Sequence, residues 1–157
     1  MMNWTSAEKS CEQKGAHLTS IHSVEENNFL LNNLIMVDTN PTGPMIFIGG
    51  VRANGSFRWT DGTNFKYTNW IDGLPYDPSF DDMLDVIAMQ FDTVENRYDG
   101  LWTIFTDYDH FKYICKKSRQ GNSIVFLYDK KTQDIRMRCN IKIFDKTYVS
   151  FDITFRY

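Results

Sequence analysis

Five aspartates fall between residues 72 and 85: Asp72, Asp77, Asp81, Asp82 and Asp85, interleaved with Tyr76 and Phe80. Carboxylates gathered in one loop suit a hard cation such as calcium, which takes about six to eight oxygen ligands. The spacing lacks the D-x-D-x-D-G ladder that presets ligand positions, so a solvated acidic loop accounts for the same residues. Tyr76 and Phe80 offer a different chemistry, since buried aromatics dominate the energetics of many protein interfaces. The candidates for ligand contact are therefore Tyr76, Asp77, Phe80, Asp81 and Asp82.

Catalytic chemistry finds little support. The histidines are His17, His22 and His110, and none stands in an H-E-x-x-H pair for zinc. His17 and His22 flank Leu18–Ile21, which reads as a loop between two helices. No serine or cysteine occupies a nucleophile elbow, and no glycine loop is arranged to cradle phosphate. The expectation is a binding module, not an enzyme, with no catalytic residues and no dedicated metal ligands. A net charge of −3 with scattered Lys and Arg provides no basic stripe for nucleic acid. No apolar run reaches the roughly 18 to 20 residues of a membrane span, and no leader is visible at Met1.

The elements that must position these side chains can be read from caps and periodicity. At 157 residues, 42% apolar and 15% aromatic, the chain can bury one sizeable core plus a tail element. Thr5 and Glu8 form a T-x-x-E capping box. Ala7, Cys11 and the stem of Lys14 share one helical face, and Gly15 ends the helix in the left-handed region. Ser23 and Glu26 repeat the box before a second helix, whose Phe29, Leu30, Leu34 and Ile35 recur at helical spacing. Strands follow at Met45–Val51 and Asp85–Phe91. Asn54-Gly55 between two apolar runs is a strong hairpin turn, because both residues accept positive φ. After a polar linker, Ser118–Ser123, three strands are expected at Ile124–Tyr128, Ile135–Phe144 and Tyr148–Tyr157. Cys139 lies in the second of these, on the face of Met137 and Ile141. It is either a buried small hydrophobe or a partner for another segment or chain.

The order of these pieces, WTSAEKSCEQKGAHLTSIHSVEENNF over residues 4–29, MIFIGGV, Trp59-x-Asp61-Gly62-Thr63, Tyr67-x-Asn69-Trp70, Gly100-Leu101-Trp102 and Tyr113-Ile114-Cys115-Lys116, resembles the C-type lectin-like domain family across about residues 4–117. The resemblance implies an α+β fold: two helices flanking antiparallel sheets, with a long-loop lobe. It implies one disulfide, Cys11 to Cys115, worth about 4 to 5 kcal/mol if a loop of roughly 100 residues is closed on the chain-entropy account. The family's second bridge would fall on Val86 and Asp107 (or Met83 for the first), and both cysteines are absent together. Trp4, Trp59, Trp70 and Trp102 sit where the family packs its core.

In sugar-binding members a triplet such as E-P-N around a cis-proline and a W-N-D strand hold calcium. Here those positions align with Leu74-Pro75-Tyr76 and Trp102-Thr103-Ile104, so the resemblance implies that the usual calcium–sugar site is lost. The family also has a strand before its first helix. Only three residues precede Trp4, so the strand Phe111–Lys116 is expected to show an unpaired edge, with the chain incomplete at its N-terminus and lacking its signal peptide.

Two sequons, at Asn3 and Asn54, fit secretion. The expected division is a lectin-like domain over 1–117 and a β-rich extension, or the start of a further domain, over 118–157. The expected function is extracellular recognition: calcium-independent binding of a protein or glycan through the 71–101 loop lobe. The alternative is calcium-dependent carbohydrate binding through the remodelled acidic loop.

Overall fold

The computed structural model describes residues 1–32, 45–75, 85–90 and 100–117 with their side chains, and the backbone of 118–119, 122–128, 135–143 and 147–155. In chain order the elements are α1 (Trp4–Glu12), β1 (His17–Leu18), α2 (Val24–Leu30), β2 (Met45–Ala53), β3 (Ser56–Trp59), β4 (Asp85–Gln90), β5 (Trp102–Thr106), β6 (Lys112–Arg119), β7 (Asn122–Tyr128), β8 (Ile135–Ile143) and β9 (Thr147–Phe155).

Helix α1 starts two residues earlier than its sequence suggests. Asn3 is the N-cap, its side chain accepting from the Ser6 N–H, a position where Asn ranks among the strongest caps. Thr5 lies inside the first turn, and its N–H donates to Asp107 Oδ1 at 2.7 Å. The expected Thr5–Glu8 box is thus overturned, because Glu8 instead accepts from the Leu18 N–H at 2.8 Å. The helix closes as expected: Ala16 N–H reaches back to the Cys11 carbonyl at 3.0 Å, with Gly15 at φ +65°. Helix α2 is capped by Ser23, which accepts from Glu26 N–H. The Glu26 carboxylate reaches past the cap to His22 N–H at 2.8 Å. Leu34 and Ile35 lie outside the described residues. The Asn54-Gly55 turn forms with φ of 51° and 78°, joining β2 to β3.

Strands β2 and β4, and residues 113–115 of β6, carry apolar side chains on both faces, and both faces are covered. Side chains alternate across a strand. Ile46, Ile48, Ile87, Met89 and Ile114 therefore enter one core with Leu30, Leu31, Trp59 and Trp102. Phe47, Val86, Ala88, Tyr113 and Cys115 enter the other, with Trp4, Ala7 and Cys11 of α1. The Cys11–Cys115 disulfide is present, spanning 5.5 Å between Cα atoms. It fastens α1 to the middle of the sheet. Trp4 adds a buried bond from its indole N–H to the Ile48 carbonyl at 2.8 Å. Trp4, Trp59 and Trp102 are buried, and Trp70 is half-buried against the first core.

Among the described residues nine strands join one sheet, with the main order β5-β4-β2-β6-β7-β8-β9; β1 pairs with β6, and β3 with β2. Three expectations are corrected here. The segment after His17 is not simply a loop, since His17 and Leu18 pair with Lys116 and Cys115. Four residues of the expected linker belong to strands, because Ser118 pairs with Ser123 and Arg119 with Asn122. Strand β6 has no bare edge. It pairs with β2 and β1, Met2 bridges to the preceding Phe111, and β7 pairs antiparallel with it from Tyr113 to Arg119. The physical reason is that the tail's alternating strands fold back onto the backbone groups that would otherwise lack partners. The side chain of Cys139 lies outside the described residues.

Candidate functional site

The loop lobe stands on a hydrogen-bonded base. Gly100 carbonyl accepts from two amides, Asn27 Nδ2 at 3.0 Å and Asn69 Nδ2 at 2.6 Å. Asn27 Oδ1 in turn accepts from the Trp102 indole N–H at 2.9 Å. Backbone bonds from Trp102 N to Asn69 O (2.7 Å) and from Ile71 N to Trp102 O (3.0 Å) tie the same segments together. Gly100 sits at φ +79°, and a Cβ there would come within 2.8 Å of Asn27 Nδ2. Only glycine suits that combination. Around this base Phe57, Phe65, Tyr67 and Trp70 pack on Trp59 and Trp102, with ring centroids 4.7–6.4 Å apart. Burial, then the nearby Glu25 charge, pushes the Tyr67 phenol above its ordinary range.

From this base the chain enters the lobe through a cis Leu74–Pro75 peptide. Position 74 is a leucine and position 104 an isoleucine, so neither provides a side-chain oxygen ligand. Tyr76, Asp77, Phe80, Asp81 and Asp82, the contact candidates, lie outside the described residues. Of the two remaining loop aspartates, Asp72 is exposed. Asp85 is buried at the start of β4 and paired with Arg52 at 2.9 Å, so it is a structural ion pair and not part of a solvated acidic loop. Val86 is buried opposite Phe105, and Asp107 is engaged by the N-terminus of α1.

A second polar cluster holds β1, α2 and the turn after β3 together. Ser20 Oγ donates to Asp61 Oδ2 at 2.5 Å, and Thr63 Oγ1 donates to Asp61 Oδ1 at 2.6 Å. Both hydroxyl protons are committed to the carboxylate, so His22 Nε2, 3.1 Å from each hydroxyl, must be the donor to them. Burial pushes the Asp61 carboxyl up. Hydrogen bonds from Ser20 and Thr63 and the Lys116 charge outweigh it and hold the group below the ordinary carboxylate range.

On the other side of α1, the structure brings together residues that the sequence reading left apart. Glu8 and Glu12 are one helical turn apart, and strand β1 places His17 Nδ1 2.6 Å from Glu8 Oε1. One ligand-capable atom from each of the three residues lies within 4.8 Å of the others. Glu8 and Glu12 also border a cleft of about 500 Å³, shared with Trp4, Arg58, Trp59 and Thr60. The missed signal was the E-x-x-x-E step on α1, which acquires meaning only once β1 returns His17 beside it.

The profile of the Lectin C-type domain matches residues 1–117. The chain belongs to the C-type lectin domain family. It is 31% identical to asialoglycoprotein receptor 2 of Homo sapiens over 124 residues, covering 78% of this chain and 36% of the receptor. It is 35% identical to a lectin of Pleurodeles waltl over 118 residues, covering 73% of this chain and 63% of that protein. Among solved structures, a calcium-independent type II antifreeze protein is similar at TM-score 0.52 and 29% identity, covering 68% of this chain and 71% of that one. The C-type lectin CEL-I of Cucumaria echinata, at TM-score 0.60 and 24% identity over 73% of this chain and 81% of its own, shows the fold alone. The match thus spans about a third to two thirds of the first relatives' length. Within this C-type lectin domain, the two helices, the mixed sheet and the lobe base agree with the α+β fold that the motifs imply.

Proposed function

We propose that this domain is an extracellular recognition module that binds a protein or glycan ligand through the 71–101 lobe without calcium. One observation carries the reading. The polar base built from Asn27, Asn69, Gly100 and Trp102 is intact, while Leu74 and Ile104 stand where oxygen ligands would have to be. Calcium has no affinity for hydrocarbon side chains, so the residues present do not fit the family's usual ion. The likeness to a calcium-independent antifreeze protein supports a fold that works without the ion. The likeness to a lectin and to an asialoglycoprotein receptor supports a glycan among the ligands. The disulfide fits an oxidising, extracellular compartment. No helix among the described residues is long and apolar enough to cross a membrane. Asn54, exposed at its hairpin tip, is the better glycan acceptor, because the Asn3 amide is engaged with Ser6 and Asp107.

The test is a thermal melt of the oxidised protein in millimolar calcium and in chelator, followed by a glycan and protein binding screen in both. Ligand that binds only the native state must raise stability. A cooperative melt indifferent to calcium, with binding that survives chelator, is the expected result. A calcium-dependent rise that disappears in D81N/D82N would replace this reading with calcium-dependent carbohydrate binding through the acidic loop.

A further inference from the structure

The geometry points to a divalent metal site of the zinc class on α1 and β1, made by Glu8, Glu12 and His17. The donor set decides the class of ion. Two carboxylates and an imidazole suit zinc and its borderline neighbours, whereas calcium prefers oxygen alone. Zinc bonds of about 2.0 to 2.2 Å place the ligand atoms of one ion within roughly 4 Å of one another. The three side chains already meet within 4.8 Å, and the exposed Glu12 has the freedom to close the difference.

The frame is held before any ion arrives. Cys11–Cys115 fastens α1 to β6, and the pairing of His17 with Lys116 fixes β1 to the same strand. Glu8 Oε2 is held by the Leu18 N–H, leaving Oε1 toward His17 Nδ1. A metal would take the place of the proton shared by those two atoms, and the Leu18 N–H would remain as the outer-shell bond that orients the carboxylate.

A second observation lies in the bordering cleft. Two of its lining residues, Trp59 and Thr60, carry buried polar atoms, Nε1 and Oγ1, with no hydrogen-bond partner among the described residues. Unsatisfied buried donors in a native fold call for a water, an ion or a ligand. Three protein ligands leave coordination positions for such a ligand's oxygen, as in open zinc sites.

The experiment is calorimetric titration of the intact oxidised protein with Zn²⁺, repeated with Co²⁺ while recording its visible absorption. E12Q is the informative variant, because Glu12 is exposed and its loss leaves the Glu8–Leu18 bond in place; H17Q is the second, and H22Q the control. The expected result is one equivalent bound, a cobalt spectrum without thiolate bands, and unchanged binding in H22Q. E12Q and H17Q should each lose at least the roughly tenfold to hundredfold that removal of even an outer-shell partner costs. Circular dichroism should show both variants folded. Absence of binding, equal binding by folded E12Q and H17Q, or equal competition by Ca²⁺ would overturn the assignment. None of these outcomes bears on whether the lobe binds its own ligand.

Discussion

The indole N–H of Trp102 donates to Asn27 Oδ1 across 2.9 Å, in a position from which water is excluded. Asn27 thereby joins α2 to the first strand after the lobe, while its amide nitrogen holds Gly100. The base of the loop is thus tied to a helix that is remote in sequence, alongside the bonds that Asn69 makes to Gly100 and Trp102.

Replacing Asn27 with alanine removes both bonds and leaves the Trp102 N–H buried and unpaired. Each buried bond of this kind is worth about 0.5 to 1.5 kcal/mol, and the orphaned donor adds about 1 to 3 kcal/mol. N27A should therefore lose about 2 to 4 kcal/mol in urea unfolding. G100A should lose about 1 to 3 kcal/mol from the left-handed backbone and its clash with Asn27. In both, ligand binding through the lobe should weaken more than the global melt predicts.

Reduction of Cys11–Cys115 releases a loop closed over 104 residues. The chain-entropy account gives about 4 to 5 kcal/mol for such a loop. A melt with and without reductant should shift downward by many degrees, and C11A/C115A should reproduce the reduced value. An unchanged melt would show that the packing of Trp4 and Ala7 on the sheet suffices alone.

Asp61 has a folded-state pKa below its unfolded one. Its contribution is therefore present above the unfolded carboxylate pKa, about 4, and is lost as pH falls through the folded value. The stability profile should drop in that acid window, and D61N should flatten the drop. Because the group is about half exposed, the loss at neutral pH should stay near 1 kcal/mol. A profile identical in wild type and D61N would remove Asp61 from the acid response.

Ending the chain at Lys117 removes β7 and leaves one edge of Tyr113–Lys117, opposite β1 and β2, without a neighbour. Such an edge is a template for pairing with another chain. The shortened protein should melt lower and elute as a larger species on size exclusion. A monomer of unchanged stability would show that residues 118–157 are dispensable to the lectin-like core.

The sequence by itself determined both helices and most of the strands. Local rules were enough for the Ser23 cap, the left-handed Gly15, the Asn54-Gly55 turn and the presence of strands β8 and β9, because each depends on a few neighbouring residues. The disulfide and the absence of oxygen at Leu74 and Ile104 were legible through the family's motifs. What depended on residues far apart in the chain was decided only in three dimensions. Asn3 displaced Thr5 as the cap and Asp107 engaged the first turn, a contact across about a hundred residues. Glu8 left its expected box because β1 offered it the Leu18 N–H and His17. Asp85 left the acidic loop because Arg52 lay on the adjoining strand. The tail covered the edge of β6 because unpaired backbone groups and alternating strands complete each other's hydrogen bonds, whatever the sequence distance between them.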